Sequence, residues 1–425
     1  MALSGYQTVA EVAAGFAVEG DLTAVEPFGA GHINNSFRLT YRTASGSGPG
    51  TKTHPKTPLP FGERQREGQG QPAISTLPQP LPEREGGNAI ASSDRAAADE
   101  APLLRFLLQQ LNTAVFQRPA WVMENVQRVT SHIAQHLRAR GLPNGHRRVL
   151  TLVPAKDGAP FARDARGGWW RLFHFIENAR TVETHPTVAH VEAAGAAYAE
   201  FQRLLTDLPP PPLHTSIPHF HDTPLRYAAL DRAIALDAAA RAARARPEID
   251  FVMNRRPLAG TLLELRRRGV CPVRTVHNDA KLSNVLLDIA TDQALCVVDL
   301  DTVMPGLVLD DFGDMVRSMT TVAAEDESDL SKVTVDLGLF TALVRGYLSV
   351  ARTFLNAIEV AHLVTAGELI TLEQAVRFLT DYLAGDLYYK IARPDHNLAR
   401  ARAQLRLLAS LERHDADLRS IVAAA

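Results

Sequence analysis

Val276-His277-Asn278-Asp279-Ala280-Lys281-Leu282-Ser283-Asn284-Val285-Leu286-Leu287 is the stretch on which the fold turns. It spells His-x-Asp-x4-Asn and runs straight into an apolar strand. Fifteen residues past Asn284, a second apolar run, Cys296-Val297-Val298, ends in Asp299-Leu300-Asp301. Phosphoryl transfer asks for these residue types. One carboxylate orients the attacking hydroxyl and accepts its proton, and an amide oxygen with a second carboxylate holds Mg²⁺ against nucleotide phosphates. A loop flanked by two short strands can bring Asp279, Asn284 and Asp299 within a few ångströms. A lone His-x-Asp arises by chance, and an Asp at a strand end is often a cap. The pair in this order and spacing is far less common. Leu300 separates Asp299 from Asp301, which predicts that both carboxylates share one strand face. Asp301 is then either a partner of the site or a second metal ligand.

Asp311-Phe312-Gly313-Asp314 also spells a metal-binding triplet, but it lies downstream of Asp299 and opens a helix with Met315, Val316 and Met319. Asp311 and Asp314 therefore read as helix caps that brace the catalytic loop. Upstream, Gly29-Ala30-Gly31-His32-Ile33-Asn34-Asn35 joins two predicted strands, residues 23–28 and 36–41. Gly29 and Gly31 let backbone N–H groups approach phosphates closely, and Asn34 and Ser36 add donors. Alone, such a loop is usually only a turn.

Working outward, residues 103–111, 148–153 and 169–176 read as further strands and residues 123–138 as a helix. Over residues 188–205, Val191, Ala194, Tyr198, Phe201 and Leu205 give one apolar helical face. Residues 225–246 and 250–269 are helix formers, short strands are expected near 275–277, 285–287 and 294–300, and long helices fill 312–415. The expected class is α+β and bilobal: a β-rich nucleotide-binding lobe over 1–176 and a mainly helical lobe over 177–425. Sixteen of the 47 positions from 44 to 90 are Gly or Pro. That density supports neither helix nor strand, so residues 44–101 read as a disordered insertion between two strands. A docking segment is the rival reading, without a clear PxxP pattern to carry it.

Composition narrows the partners. Against 45 Lys and Arg stand 47 Asp and Glu, a balance unsuited to a nucleic-acid coat or a polybasic membrane binder. Two cysteines, Cys271 and Cys296, exclude a disulfide scaffold and a four-Cys zinc site. The first twenty residues hold no Lys or Arg, and Glu11 and Glu19 flank their apolar stretch, unlike a secretory leader. A cytoplasmic location is expected. Nothing in the sequence fixes the oligomeric state.

With these motifs the chain resembles the aminoglycoside-phosphotransferase and choline-kinase superfamily, whose members share the protein-kinase-like fold. Within it the chain is most similar to the N-acetylhexosamine 1-kinases. The likeness runs through residues 29–36, 107–116, 123–130, 201–205, 218–224, 277–284, 298–317 and 378–390. The resemblance implies that Asp279 is the catalytic base, that Asn284 and Asp299 ligate Mg²⁺, and that ATP supplies the phosphate. It implies a nucleotide site of Gly29, Gly31, His32, Asn34 and Gln109, with Phe175, Ile176 and Glu177 as the adenine hinge. Glu124 would stand where the fold places the partner of the phosphate-binding lysine. Arg377, Asp381 and Tyr388 would bind the acceptor, and their spacing of four and seven puts them on one helical face.

One departure matters. The third strand carries Gln109 or Gln110 where a typical kinase has lysine, so Mg²⁺, Arg105 or loop N–H groups must carry more phosphate charge. The leading expectation is transfer of the γ-phosphate to a sugar hydroxyl, chiefly the anomeric hydroxyl of an N-acetylhexosamine. An amino alcohol, choline or aminoglycoside acceptor is the alternative, and a non-catalytic pseudokinase the third reading. Cationic acceptors call for acidic or aromatic pockets. Arg377 beside Asp381 argues for a neutral polyol.

Overall fold

The computed structural model describes residues 2–29, 34–43, 102–142 and 144–425. The predicted insertion at 44–101, and Gly31 and His32 of the glycine loop, lie outside the described residues.

Chain order is α1 (Ala2–Ala13), β1 (Asp21–Pro27), β2 (Asn35–Arg42), β3 (Leu103–Gln110), α2 (Pro119–Ala139), β4 (Leu152–Val153), β5 (Ala162–Arg163) and β6 (Trp169–His174). The strands form one antiparallel sheet ordered β1-β2-β3-β6-β4, with β5 also on β6. Alternation decides its faces. Leu39, Tyr41, Phe106, Leu108, Trp170 and Leu172 pack on one side against Val9, Val12, Ala13 and Phe16 at the α1 end of the chain. The 3-4-7 spacing of those four residues is the signal for α1, which reading the N-terminus only for a leader misses. On the opposite face, Gln109 stands across from Ser36 on one side and Arg171 on the other. The expected strand at 148–153 is paired only at Leu152 and Val153.

The rest is β7 (Ala179–Arg180), α3 (Val188–Leu204), α4 (Thr223–Leu236), α5 (Arg246–Met253), α6 (Thr261–Arg267), β8 (Arg274–Val276), β9 (Val285–Asp288), β10 (Ala294–Val297) and β11 (Met304–Gly306). Then come α7 (Val308–Met319), α8 (Leu337–Ala351), α9 (Ala357–Ala361), α10 (Leu363–Ala384), α11 (His396–Arg413) and α12 (Asp415–Ala424). This is the expected α+β order: a sheet, then a helical body holding two small sheets, β10-β9-β7 and β11-β8. One core runs from α2 through α3, α7 and α8 to α12, and a second lies among α4, α5, α10 and α11. No helix among the described residues is long and apolar enough to cross a membrane.

Two predicted helices are shorter than expected. The Ala-rich run 225–246 stops at Leu236 because Asp237 turns to φ 38° and its carboxylate takes the Arg241 and Ala242 N–H groups. Residues 250–269 are divided between α5, a 3₁₀ turn around Pro257 and α6.

The helices that carry the site cross at glycines. A Cβ on Gly313 of α7 would meet the Ala366 carbonyl and the Ile370 side chain of α10. The glycine of Asp311-Phe312-Gly313 therefore serves helix packing. A Cβ on Gly346 of α8 would fall on the Glu192 backbone of α3, and one on Gly195 of α3 would crowd Leu343 of α8. Since backbone cannot yield as a flexible side chain does, Gly346→Ala should destabilise the fold by about 1–3 kcal/mol. Thermal unfolding checks this, and an unchanged Tm would show that the crossing is looser than described.

Candidate active site

Asp279 sits on a loop between β8 and β9 whose backbone is held from below by α7. Asp311, fully buried, accepts the His277 N–H at 2.9 Å and the Asn278 N–H at 2.6 Å, and takes the Gln202 amide at 2.7 Å. The Tyr347 hydroxyl in turn donates to Gln202. Asn278 adopts φ 64°, and its amide donates to the Thr302 carbonyl at 3.0 Å. His277 Nε2 donates to the Val298 carbonyl at 2.9 Å, so its Nδ1 is left to accept the Asp279 N–H at 3.3 Å. Asp311 thus braces the catalytic loop, as expected. The helix cap is Asp310, whose carboxylate accepts the Leu307 N–H.

These contacts hold the reactive groups. Asn284 donates to the Asp279 carbonyl at 2.9 Å and to its Oδ2 at 3.1 Å. Lys281 Nζ lies 2.9 Å from the same oxygen. Burial works against ionisation of Asp279, but Lys281 and then His277 outweigh it and hold the carboxyl down at about 2. The Asp279 carboxyl is therefore ionised at neutral pH. The same field pushes Lys281 upward, chiefly through Asp279, so it stays charged.

Asp299 ends the β10 run in the left-handed region, φ 59° and ψ 55°, and Leu300–Thr302 forms a 3₁₀ turn. That turn corrects the expectation of a shared strand face: the strand stops at Val297, so strand alternation does not govern Asp299 and Asp301. Asp301 Oδ1 accepts from Arg171 and Oδ2 from the Asn34 amide, the latter at 2.6 Å. No hydrogen bond reaches the Asp299 carboxylate or Asn284 Oδ1 among the described residues. Burial, then Asp301 and Asp279, push the Asp299 carboxyl up to about 6. Hard oxygen donors under carboxylate repulsion fit a divalent cation such as Mg²⁺.

The cation beside Gln109 is Arg171 on β6. Its Nε and Nη2 lie 3.0 and 2.9 Å from Gln109 Oε1, while Gln109 Nε2 donates to Ser36 at 3.1 Å. Arg105 lies nearer the hinge and pairs with Glu177 at 3.0 Å. Glu124 is corrected: it is half exposed, on the far side of α2, and bonds to His214 at 2.8 Å. The inward residue of that turn is Asn125, which donates to the Val303 and His214 carbonyls. In the hinge, the Phe175 N–H is taken by the Arg105 carbonyl, and the Glu177 carbonyl by Arg147. The Phe175 carbonyl and the Ile176 and Glu177 N–H groups are without hydrogen-bond partners among the described residues. Phe28, just before Gly29 (φ +76°), meets the Phe175 ring edge-on at 5.2 Å.

Arg377 of α10 lies within the electrostatic reach of Asp279. It donates to Gln374 and lies 5.7 Å from both the Phe220 and Tyr389 rings. Burial opposes its charge, but Tyr389, Glu373, Tyr388 and Asp279 push its pKa up. Tyr388 is 63% exposed at the rim. Asp381 is corrected: its oxygens accept the Leu387, Tyr388 and Tyr389 N–H groups and the Asn397 amide. It shapes the loop that carries the two tyrosines.

The profile of the phosphotransferase enzyme family, APH, matches residues 87–340, more than half of the chain. The chain belongs to this phosphotransferase family. Two solved structures share the fold of this phosphotransferase. A microcompartment-associated aminopropanol kinase superposes with a TM-score of 0.52 at 14% identity, over 97% of this chain and 98% of that one. Spectinomycin phosphotransferase, solved with ADP and spectinomycin, gives 0.51 at 10% identity, over 96% and 98%. At such identities the likeness establishes the protein-kinase-like fold alone.

Three residues of the phosphotransferase escape sequence reasoning. Lys281 stood unassigned inside the quoted motif. Arg171 interrupts the apolar run Trp169–His174, and a charge inside a buried strand is the signal that could have found it. His221 donates to Glu373 at 3.0 Å and to the Asn278 carbonyl at 3.1 Å, tying α10 to the catalytic loop.

Two outcomes follow from these buried charges. Arg171→Met would leave Asp301, 3% exposed, without its cation, and should destabilise the protein by about 3–5 kcal/mol. Asp301→Asn in the same chain should recover part of the loss, as read by urea unfolding. For His221, burial lowers the imidazole pKa, but Glu373, helped by Asp310 and Asp314, outweighs it and raises the value to about 9. A folded pKa above the ordinary 6.5 gives stability that is full below about 6.5 and lost as pH rises through about 9. Tm should fall across that window in the native chain and clearly less in His221→Gln. Equal slopes would rule the pairing out.

Proposed function

We propose that this phosphotransferase moves the γ-phosphate of ATP, with Mg²⁺, to a hydroxyl of a small neutral polyol, above all the anomeric hydroxyl of an N-acetylhexosamine. The observation that carries the acceptor class is Arg377, a half-buried guanidinium between two aromatic rings beside the ionised Asp279. Its one side-chain hydrogen bond among the described residues goes to Gln374, so it keeps donors for a hydroxyl or carbonyl oxygen. Lys281 and Arg317 add positive charge near Asp279. A choline or aminoglycoside cation would meet repulsion there. The hexosamine within the polyol class comes from the sequence resemblance.

Asp279 would orient the acceptor hydroxyl and take its proton. A carboxylate of low basicity suffices, because the loose transition state asks little of the base until bond formation is advanced. Lys281 would stand between base and phosphate, holding Asp279 ionised and offsetting charge on the transferred group. The Phe175 carbonyl and Glu177 N–H would meet the adenine edge, and the loop from Gly29 to Asn34 would cover the phosphates. Asn284 Oδ1 and Asp299 would hold Mg²⁺, which supplies neutralisation of the β- and γ-phosphate charge. Tyr388 and Tyr389, set by Asp381, would close over the sugar ring.

ADP release with ATP and Mg²⁺ tests this across N-acetylglucosamine, N-acetylgalactosamine, glucose, choline and kanamycin. The expected result is turnover with the N-acetylhexosamines, falling about 10²–10⁴-fold in Asp279→Asn with nucleotide binding retained. Turnover of the cationic acceptors alone would overturn the acceptor reading. Nucleotide binding without turnover on any acceptor would favour a non-catalytic protein.

A further inference from the structure

We propose that His132, His136 and Asp207 form a binding site for one divalent transition-metal ion of the Zn²⁺ type, on the outer side of α2 and separate from the catalytic cleft. His132 and His136 are four residues apart on one helix, so their rings lie one above the other, with centroids 4.7 Å apart. Both Nε2 atoms converge on one atom of a distant residue, Asp207 Oδ1, at 2.9 and 3.2 Å. Tetrahedral Zn²⁺, bound about 2.1 Å from N and O ligands, keeps neighbouring ligand atoms about 3.4 Å apart. The two N···O separations need to open by only a few tenths of an ångström, and all three ligand atoms lie within 4.8 Å of one another.

The segment bearing Asp207 is already fixed against the same helix. Arg128, one turn before His132, donates to the Pro209 carbonyl at 2.7 Å and the Pro211 carbonyl at 2.6 Å. Residues 128, 132 and 136 therefore make one stripe facing one loop. The nearby Arg203 is held by Glu200 at 2.7 Å, which keeps its guanidinium off Asp207. Asp207 is 61% exposed and His132 only 11%, so the site is closed on the helix side and open to a water as fourth ligand.

Two imidazoles and one carboxylate select borderline ions over Mg²⁺, which takes oxygen ligands. The bound ion would tie α2 to the end of α3. Because α2 also carries the Asn125 contacts to Val303 and His214, the ion would fix the helix that closes the sheet onto the helical body.

The untagged full chain, stripped of metal, would be titrated with Zn²⁺ by calorimetry in imidazole-free buffer, and bound zinc counted by mass spectrometry after desalting. The expected result is one equivalent unaffected by millimolar Mg²⁺ and kept in Asp299→Asn. Tm should rise by about 3 °C at a hundredfold excess over Kd. His136→Gln and Asp207→Asn replace surface-reachable groups and should keep the metal-free Tm. Each should weaken Zn²⁺ binding at least about tenfold and lose the rise in Tm. Absence of zinc binding by the native chain would overturn the proposal, as would full binding by both variants.

Discussion

The Asp301 carboxylate joins the sheet to the helical body. One oxygen takes the Arg171 guanidinium from β6, and the other takes the Asn34 amide at the end of the glycine loop. Arg171 and Asp301 are almost wholly enclosed, so neither charge tolerates the loss of the other. Through Arg171 the contact extends to Gln109 and on to Ser36, crossing β6, β3 and β2 in turn. Asp301 is also two residues from Asp299. The tie that sets the lobes therefore sets a carboxylate of the candidate metal site and the mouth of the glycine loop in the same frame. Arg171 is a structural charge, with its donors spent on Gln109 and Asp301.

A second carboxylate, Asp311, does for the catalytic loop what Asp301 does for the lobes. Backbone N–H groups of His277 and Asn278 have no strand to pair with, since β8 ends at Val276. Asp311 supplies both acceptors from α7. Around these anchors the site gathers Asp279, Asp299, Asp310 and Glu373, and balances them with Lys281, His221, Arg317 and Arg377. Opposed environments separate otherwise identical groups. Asp279 beside Lys281 is held low, and Asp299 beside two other carboxylates is driven up. This separation suits one carboxylate as a base and the other as a cation ligand.

Helix α10 links the loop of Tyr388 and Tyr389 to the loop that carries Asp279. Its Glu373 holds His221 against the loop of Asp279, its Arg377 lies by the Phe220 and Tyr389 rings, and its Asp381 organises the loop of Tyr388 and Tyr389. The helix packs closely on α7, where Gly313 and Gly367 remove the Cβ atoms that would otherwise separate them. The acceptor side and the brace under Asp279 therefore move as one body.

The sequence by itself determined the α+β order, the site motif and the membership in a phosphotransferase family. The order rests on local periodicity, the site on His-x-Asp-x4-Asn followed by a strand-end Asp, and the membership on a resemblance that runs through stretches along most of the chain. It also placed Asp311 as a brace, because a carboxylate opening a helix just after the motif has few other uses. Only the tertiary structure decided what each long-range charge does. Glu124 and Asp381 had the right residue type and spacing, but α2 is rotated so that Asn125 faces inward, and Asp381 is consumed by four N–H donors. Arg171, Lys281 and His221 gained roles through partners as far as 152 positions away in the chain. Spacing along a helix fixes which residues share a face. Which face is turned to the cleft, and which carboxylate keeps a free oxygen there, depends on packing between elements distant in sequence.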